Sequence, residues 1–180
     1  PNPATLKFLP GRDVLPGGAL DLASPQAAAR SPLATRLFEI PNVGGVLYGH
    51  DFITVTKTAG EWHEIKPAVL GAIMEHFLSG EPLLADGEAT VENDDGEFFD
   101  DKDADTVATI KDLIETRVRP AVAQDGGDIT FQGFREGVVF LNMRGSCAGC
   151  PSSTATLKHG IENLLRHFVP EVREIREVPA

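Results

Sequence analysis

The chain has only two cysteines among its 180 residues, Cys147 and Cys150, three positions apart. So short a loop cannot staple a fold, which excludes a disulfide-built secreted scaffold. Positive charge is also scarce: 16 Lys and Arg face 27 Asp and Glu, for a formal net charge of −11. A sequence-independent nucleic-acid binder carries a basic footprint, so no nucleic-acid partner is expected. No uncharged apolar run reaches the ~18 residues that a membrane-spanning helix needs, so no membrane partner is expected. The first residues, Pro1-Asn2-Pro3-Ala4-Thr5-Leu6, lack the apolar core of a signal peptide and the Arg- and Ser-rich character of a transit peptide. An intracellular, reducing compartment is the expectation: the bacterial cytoplasm, or the mitochondrial matrix if the chain is a processed form.

What is present is ordinary for a globular protein, with 42% apolar and 24% charged residues. The length suits one domain or two small ones. Acidity is unevenly spread. Residues 86–105 hold ten acids and one base, a net −9 out of the chain's −11. That stretch has no sustained apolar period and reads as a self-repelling tether. The expected organisation is therefore an N-terminal domain over 1–80, an acidic flexible linker over 81–104 and a C-terminal domain over 105–180. The fold class is α+β, two small domains joined by that linker.

Before the linker, residues 5–9 alternate as a short strand. Ser24-Pro25 and Ser31-Pro32 each read as an N-cap followed by proline at the first helical position. The second pair opens the stronger helix, with Leu33, Leu37 and Phe38 on one face. Residues 46–48 and 52–57 read as a hairpin around Gly49-His50-Asp51. Pro67 opens a further helix whose buried stripe is Val69, Leu70, Ile73, Phe77 and Leu78, with Gly80 as its stop. After the linker the order is α-β-β-α-β. Val107, Ile110, Leu113, Ile114 and Val118 have helical spacing, and Pro120 kinks or ends that helix. Asp125-Gly126-Gly127-Asp128 is a turn, and residues 129–134 and 138–143 are strands. A helix starts at Pro151 with Leu157, Ile161, Leu164, Leu165 and Phe168 inward. A weak last strand spans 172–178, its apolar period being three rather than two.

The concentrated chemistry is Gly145-Ser146-Cys147-Ala148-Gly149-Cys150-Pro151, between a strand and a helix. Cysteines at i and i+3 can turn their sulfurs the same way, and a helix N-terminus favours thiolate. Gly145 and Gly149 allow unusual backbone and close approach. The expectation is two adjacent thiolates near the surface. Three roles stay open on spacing alone: a thiol–disulfide enzyme, a metal or cluster site, and an inert pair. Against the first, too little chain follows the motif to complete a thioredoxin-like sheet. For the second, zinc and ordinary iron–sulfur clusters want four ligands, and the chain has two sulfurs. A second copy across a twofold axis is the simplest completion. A cofactor held at such a seam would be easily released, as suits a carrier.

These residues also carry a resemblance. Asp125-Gly126-Gly127-Asp128-Ile129 followed by Arg144-Gly145-Ser146-Cys147-Ala148-Gly149-Cys150-Pro151-Ser152-Ser153 resembles the NifU C-terminal-like domain of Nfu-type iron–sulfur cluster proteins. The first half resembles their N-terminal domain at residues 1–8, at Arg30-Ser31-Pro32-Leu33-Ala34 and at Asp51-Phe52-Ile53-Thr54-Val55-Thr56. The resemblance implies Cys147 and Cys150 as ligands of a [4Fe–4S] cluster shared between two subunits. It implies a homodimer when cluster-bound, transfer to apo iron–sulfur clients, contact with the assembly machinery and no enzymatic activity. The N-terminal domain would recognise clients or machinery. The competing readings are a CxxC thiol–disulfide oxidoreductase and a zinc-linked structural dimer.

Other residues read more plainly. Asp125-Gly126-Gly127-Asp128 is a glycine turn, with a role in shaping the cysteine loop from below as the functional alternative. Arg144 and Lys158 flank the cysteines and are read as solvated charges. His50, His63 and His76 lack metal spacing. Trp62 is a packing residue. Ser152, Ser153 and Thr154 suit helix capping, with no base to activate a nucleophile.

Overall fold

A computed structural model describes residues 3–16, 18–85, 97–148 and 151–178, with 151–154 described by backbone alone. The chain divides into two compact units, Pro3–Val91 and Glu92–Ala180, the latter counted together with the first two residues.

In the N-terminal unit, β1 (Thr5–Phe8), β2 (Leu20–Leu22), β3 (Val43–Tyr48) and β4 (Ile53–Lys57) form one antiparallel sheet in the order β1-β4-β3-β2. The short α1 (Pro25–Ala28) and α2 (Pro32–Glu39) begin as their Ser-Pro pairs dictate. Ser24 Oγ accepts from Ala27 N–H at 3.2 Å, and Ser31 Oγ from Ala34 N–H at 3.3 Å. Ser31 also shares a hydrogen bond of 2.7 Å with the buried Tyr48 hydroxyl, tying the helix cap to β3. Burial of that phenol pushes its pKa up. The unit's core includes Leu20, Leu22, Leu33, Leu37, Val46, Ile53, Val55 and Val69.

The long helix α3 (Trp62–Ser79) departs from expectation at its start and along its apolar stripe. It begins at Trp62, five residues before Pro67, because Glu61 and Glu64 form a reciprocal capping box. Pro67 sits on the exposed face of the helix, within its second turn. Gly80 ends the helix at φ +71°, as expected. Of the expected stripe, Val69 and Ile73 are buried and Phe77 is partly buried, whereas Leu70 is 41% and Leu78 84% exposed. The apolar arc is wider than the surface the unit offers to cover it.

The C-terminal unit holds α4 (Ala104–Leu113), a π-helical stretch (Ile114–Val118), α5 (Arg119–Gln124), β5 (Gly127–Arg135), β6 (Val138–Gly145), α6 (Pro151–Phe168) and β7 (Glu174–Glu177). Pro120 does not end the helix. Its missing N–H is absorbed by a wider turn in which Arg119 N–H reaches Ile114 C=O. β5 and β6 pair antiparallel from Gly127↔Gly145 to Arg135↔Val138, with a bulge between Phe131 and Gly133. β7 pairs parallel with β6, so α6 is the crossover between them. β7 buries Ile175 alone among its four residues, which is why its sequence lacks a clean period of two. Ile161 and Leu165 of α6 enter the core, but Phe168 is 46% exposed, its ring stacked under Arg117 rather than turned inward.

Both ends of the stretch read as linker are attached. Leu84 is in the N-terminal core and Ala85 N–H donates to Arg30 C=O at 2.7 Å. Phe98 adds a short parallel bridge to β5, with Phe98 N–H on Gln132 C=O at 3.1 Å and Phe134 N–H on Phe98 C=O at 2.9 Å. The middle, residues 86–96, lies outside the described residues.

Candidate functional site

The cysteine loop leaves the end of β6 and enters α6. Gly145 takes φ +64°, a left-handed turn that a side chain would resist, and it redirects the chain out of the strand. Ala148 N–H then donates to Gly145 C=O at 3.2 Å and closes the turn. Cys147 sits in this turn, ahead of the helix. Cys150 and Gly149 lie outside the described residues, so the expected pairing of sulfurs and the second glycine's role are not seen.

Across the ladder stand Gly127 and Asp128, expected in a turn with Asp125-Gly126 but in fact the first residues of β5, because they pair with Gly145 and Arg144. A Cβ on Gly127 would lie 2.3 Å from Cys147 Sγ, 3.0 Å from Ser146 Oγ and 3.1 Å from Cys147 N. Only hydrogen fits there, so Gly127 is the floor on which the Cys147 sulfur rests. A glycine read mainly as part of a simple reversal is thus a strand residue that supports the cysteine loop.

The electrostatics reverse one expectation. Cys147 is 7% exposed and packs with the unit's apolar core. Burial, followed by the nearby carboxylates of Asp128 and Asp125, pushes its thiol pKa up to about 12. It is a protected thiol at neutral pH, not the surface thiolate anticipated from the helix dipole. Desolvation outweighs the partial charge of a helix end that Cys147 does not itself occupy.

Asp128 is nearly buried, its side chain 7% exposed, and Arg119 holds it in a two-pronged pair, Nε to Oδ1 at 2.8 Å and Nη2 to Oδ2 at 3.2 Å. Arg119 Nη1 donates to Glu115 Oε1 at 2.6 Å. The carboxylate partners raise the Arg119 pKa against the opposing effect of burial. Sequence reasoning missed Arg119. The available signal was a base immediately before a helix-interrupting proline, a few residues upstream of an acidic turn.

The remaining candidates separate. Arg144 is opposite Asp128 in the β5–β6 register, yet Arg119 takes that carboxylate. Arg144 Nε is buried with no partner among the described residues. Lys158 is half-buried on α6. His50 and His63 are exposed, and His76 is buried in α3 with its pKa lowered by burial. Trp62 is partly buried against the N-terminal core, its Nε1–H on Pro3 C=O at 3.1 Å. No group of three or more His, Cys, Asp or Glu suited to a metal occurs among the described residues. No described helix is long and apolar enough to cross a membrane.

The chain thus comprises two α+β units, and the C-terminal one carries the candidate site, a sulfur seated on a glycine floor in a strand–turn–helix loop. Residues 1–80 match the family model "Scaffold protein Nfu/NifU N terminal" and residues 110–176 match "NifU-like domain". The chain is 47% identical over 180 residues to the "NFU1 iron-sulfur cluster scaffold homolog, mitochondrial" of Homo sapiens, covering 99% of this chain and 69% of that protein. It is 49% identical to the protein of the same name from Drosophila sechellia, spanning 62% of its length, and covers 99% of this chain in doing so. It is 46% identical to "NifU-like protein 5, mitochondrial" of Arabidopsis thaliana, with 98% of this chain and 65% of that one covered. The chain belongs to the Nfu family of iron–sulfur scaffold proteins. The compartment in these names is mitochondrial, which supports the matrix alternative and lends nothing to a bacterial cytoplasm.

Proposed function

We propose that this chain is a carrier or scaffold that holds a [4Fe–4S] cluster as cargo between two subunits and passes it to apo-proteins. Cys147 and Cys150 of each protomer supply the four sulfurs. The single observation that carries the reading is the Cys147 sulfur seated on Gly127 within the segment matching the NifU-like domain. Relatives named as iron–sulfur cluster scaffolds support it. A ligating thiol gives up its proton, so a metal-free site that keeps Cys147 protonated protects the sulfur until cargo arrives. The same protonation argues against a thiol–disulfide enzyme, whose attacking sulfur must be a thiolate. The protein acts by ligand exchange rather than as an enzyme. Client cysteines replace its own at an exposed seam between subunits.

The acidic stretch serves as a tether. Its like charges repel one another, and the residues that flank it, Leu84 and Phe98, are held by the N-terminal core and by β5. The N-terminal unit engages clients or assembly machinery, and the setting is the mitochondrial matrix.

Anaerobic reconstitution with iron and sulfide tests the reading. About four iron and four sulfide per two chains, in a particle of dimer mass, is the expected result, as four thiolates per cluster require. Cys147→Ser and Cys150→Ser each abolish retention. A loaded monomer overturns the proposal. So does a colourless dimer with one zinc, or turnover of a disulfide substrate by the metal-free protein.

A further inference from the structure

One feature that the cysteine loop does not account for lies on the N-terminal unit, in the apolar surface of α3 that its own core leaves uncovered. Leu70, Met74 and Leu78 lie along one side of the helix, 41%, 63% and 84% exposed, and Leu9 beyond the end of β1 is 68% exposed. Together with Phe77 and Arg12 they line a groove of about 350 Å³. A soluble unit does not expose four large apolar side chains side by side without a use for them.

Size and charge indicate what would fill the groove. These four residues expose on the order of 500 Å², against about 800 Å² that each partner gives to a stable dimer. The face is therefore too small for self-association of this unit and suits one segment of another protein. From Leu70 to Leu78 the helix rises about 12 Å, and anchors at i, i+4 and i+7 of a second helix span about 10.5 Å. Arg12 supplies the polar mark. Its guanidinium is set over the Phe77 ring at 5.0 Å. Among the described residues no carboxylate lies within ion-pair distance of it. A cation fixed over a ring at the edge of an apolar groove, with no acid beside it among the described residues, is complementary to a single acid on the incoming segment.

We infer that this groove docks an amphipathic helix of a partner protein, one with an apolar i, i+4, i+7 stripe and an Asp or Glu placed to meet Arg12. The inference rests on the carrier reading, since a carrier must hold a recipient or donor while cargo moves. It deepens that reading by giving the docking surface and the chemistry it selects.

The test titrates the full-length ¹⁵N-labelled chain with a stapled helical peptide bearing Leu at i, i+4 and i+7 and Glu beside the last Leu. Two twins of the peptide carry Lys in place of Glu, or Ser in place of the three Leu. Saturable shifts confined to amides near residues 9–12 and 70–78 are expected with the Glu peptide and not with the Ser twin. Leu78→Asp and Met74→Asp each weaken binding by about tenfold or more, as truncating an anchor does. Both side chains are mostly exposed, so the unit stays folded. Arg12→Glu weakens the Glu peptide and strengthens the Lys twin. Absence of saturable binding, indifference to Leu78→Asp, or no reversal with Arg12→Glu overturns the inference. Shifts of the same amides with chain concentration alone would give the groove to a second copy. Shifts on deleting residues 86–96 would give it to the chain's own segment. Either also overturns it. Iron and sulfide per chain, measured on the same variants, should equal wild type. A wild-type chain that never loads defeats the carrier reading, whereas normal loading with a silent groove defeats the docking alone.

Discussion

Replacing Gly127 by alanine asks directly whether the Cys147 sulfur rests where the loop geometry places it. The added Cβ would stand 2.3 Å from Sγ, with Cys147 N at 3.1 Å blocking retreat on the backbone side. Ordinary contact between such atoms is about 3.5–4.0 Å, so the sulfur must move by more than about 1 Å. Forcing a methyl into a packed site costs about 1–3 kcal/mol. At about 2 kcal/mol, and with a urea dependence of about 2 kcal/mol per molar, the midpoint falls by about 1 M. The only Trp and Tyr, Trp62 and Tyr48, lie in the N-terminal unit, so Trp fluorescence is blind to this change. Amide exchange across β5 and β6 reports it, and the Trp62 transition serves as an unaffected internal reference. Iron retention after reconstitution should fall in parallel, because a displaced sulfur no longer presents its lone pairs from the same place. Gly160→Ala is the control. It lies in α6 with no atom within 4 Å of an added Cβ, and should stabilise by about 0.5–1 kcal/mol. If Gly127→Ala keeps wild-type exchange and iron retention, the glycine floor is not what positions the sulfur.

Three further outcomes follow from the same structure. Cys147 in the metal-free protein should resist iodoacetamide below pH 9 and react once urea unfolds the chain, as read by peptide mass in a Cys150→Ser background. Its folded pKa is raised to about 12 from an ordinary 9.0, so the stability gained by burying the thiol is complete below about pH 9 and lost as pH climbs through about 12. Arg119→Ala strands the buried Asp128 carboxylate and should cost about 3–5 kcal/mol. A cycle with Asp128→Asn, followed by urea unfolding of the C-terminal unit, should recover much of that loss, and full additivity would refute the pairing. Ser31→Ala removes both a helix cap and the partner of the buried Tyr48 hydroxyl, and should cost about 2 kcal/mol in the transition reported by Trp62 fluorescence.

Much of this protein was legible one residue at a time. Ser-Pro pairs start helices because cap chemistry is local, and both start where written. The hairpin around residues 49–51 followed from alternation and turn residues, though β3 begins three residues earlier, through a bulge at Gly44-Gly45. The placing of Cys147 between a strand and a helix came from the same short-range grammar. What the sequence concealed depended on how much surface a neighbour offers. Leu70, Leu78 and Phe168 have the period of buried residues, but the core runs out before it reaches them.

The sequence alone determined two patterned halves, the charge block between them and a pair of cysteines too few to saturate a metal centre within one chain, because composition and spacing are properties of the chain itself. Tertiary structure decided that Cys147 is a sheltered thiol, that Gly127 carries it and that Arg119 clasps Asp128. Those facts arise from ladder register and desolvation, which join residues nine to twenty positions apart and leave no periodic trace in the order of amino acids.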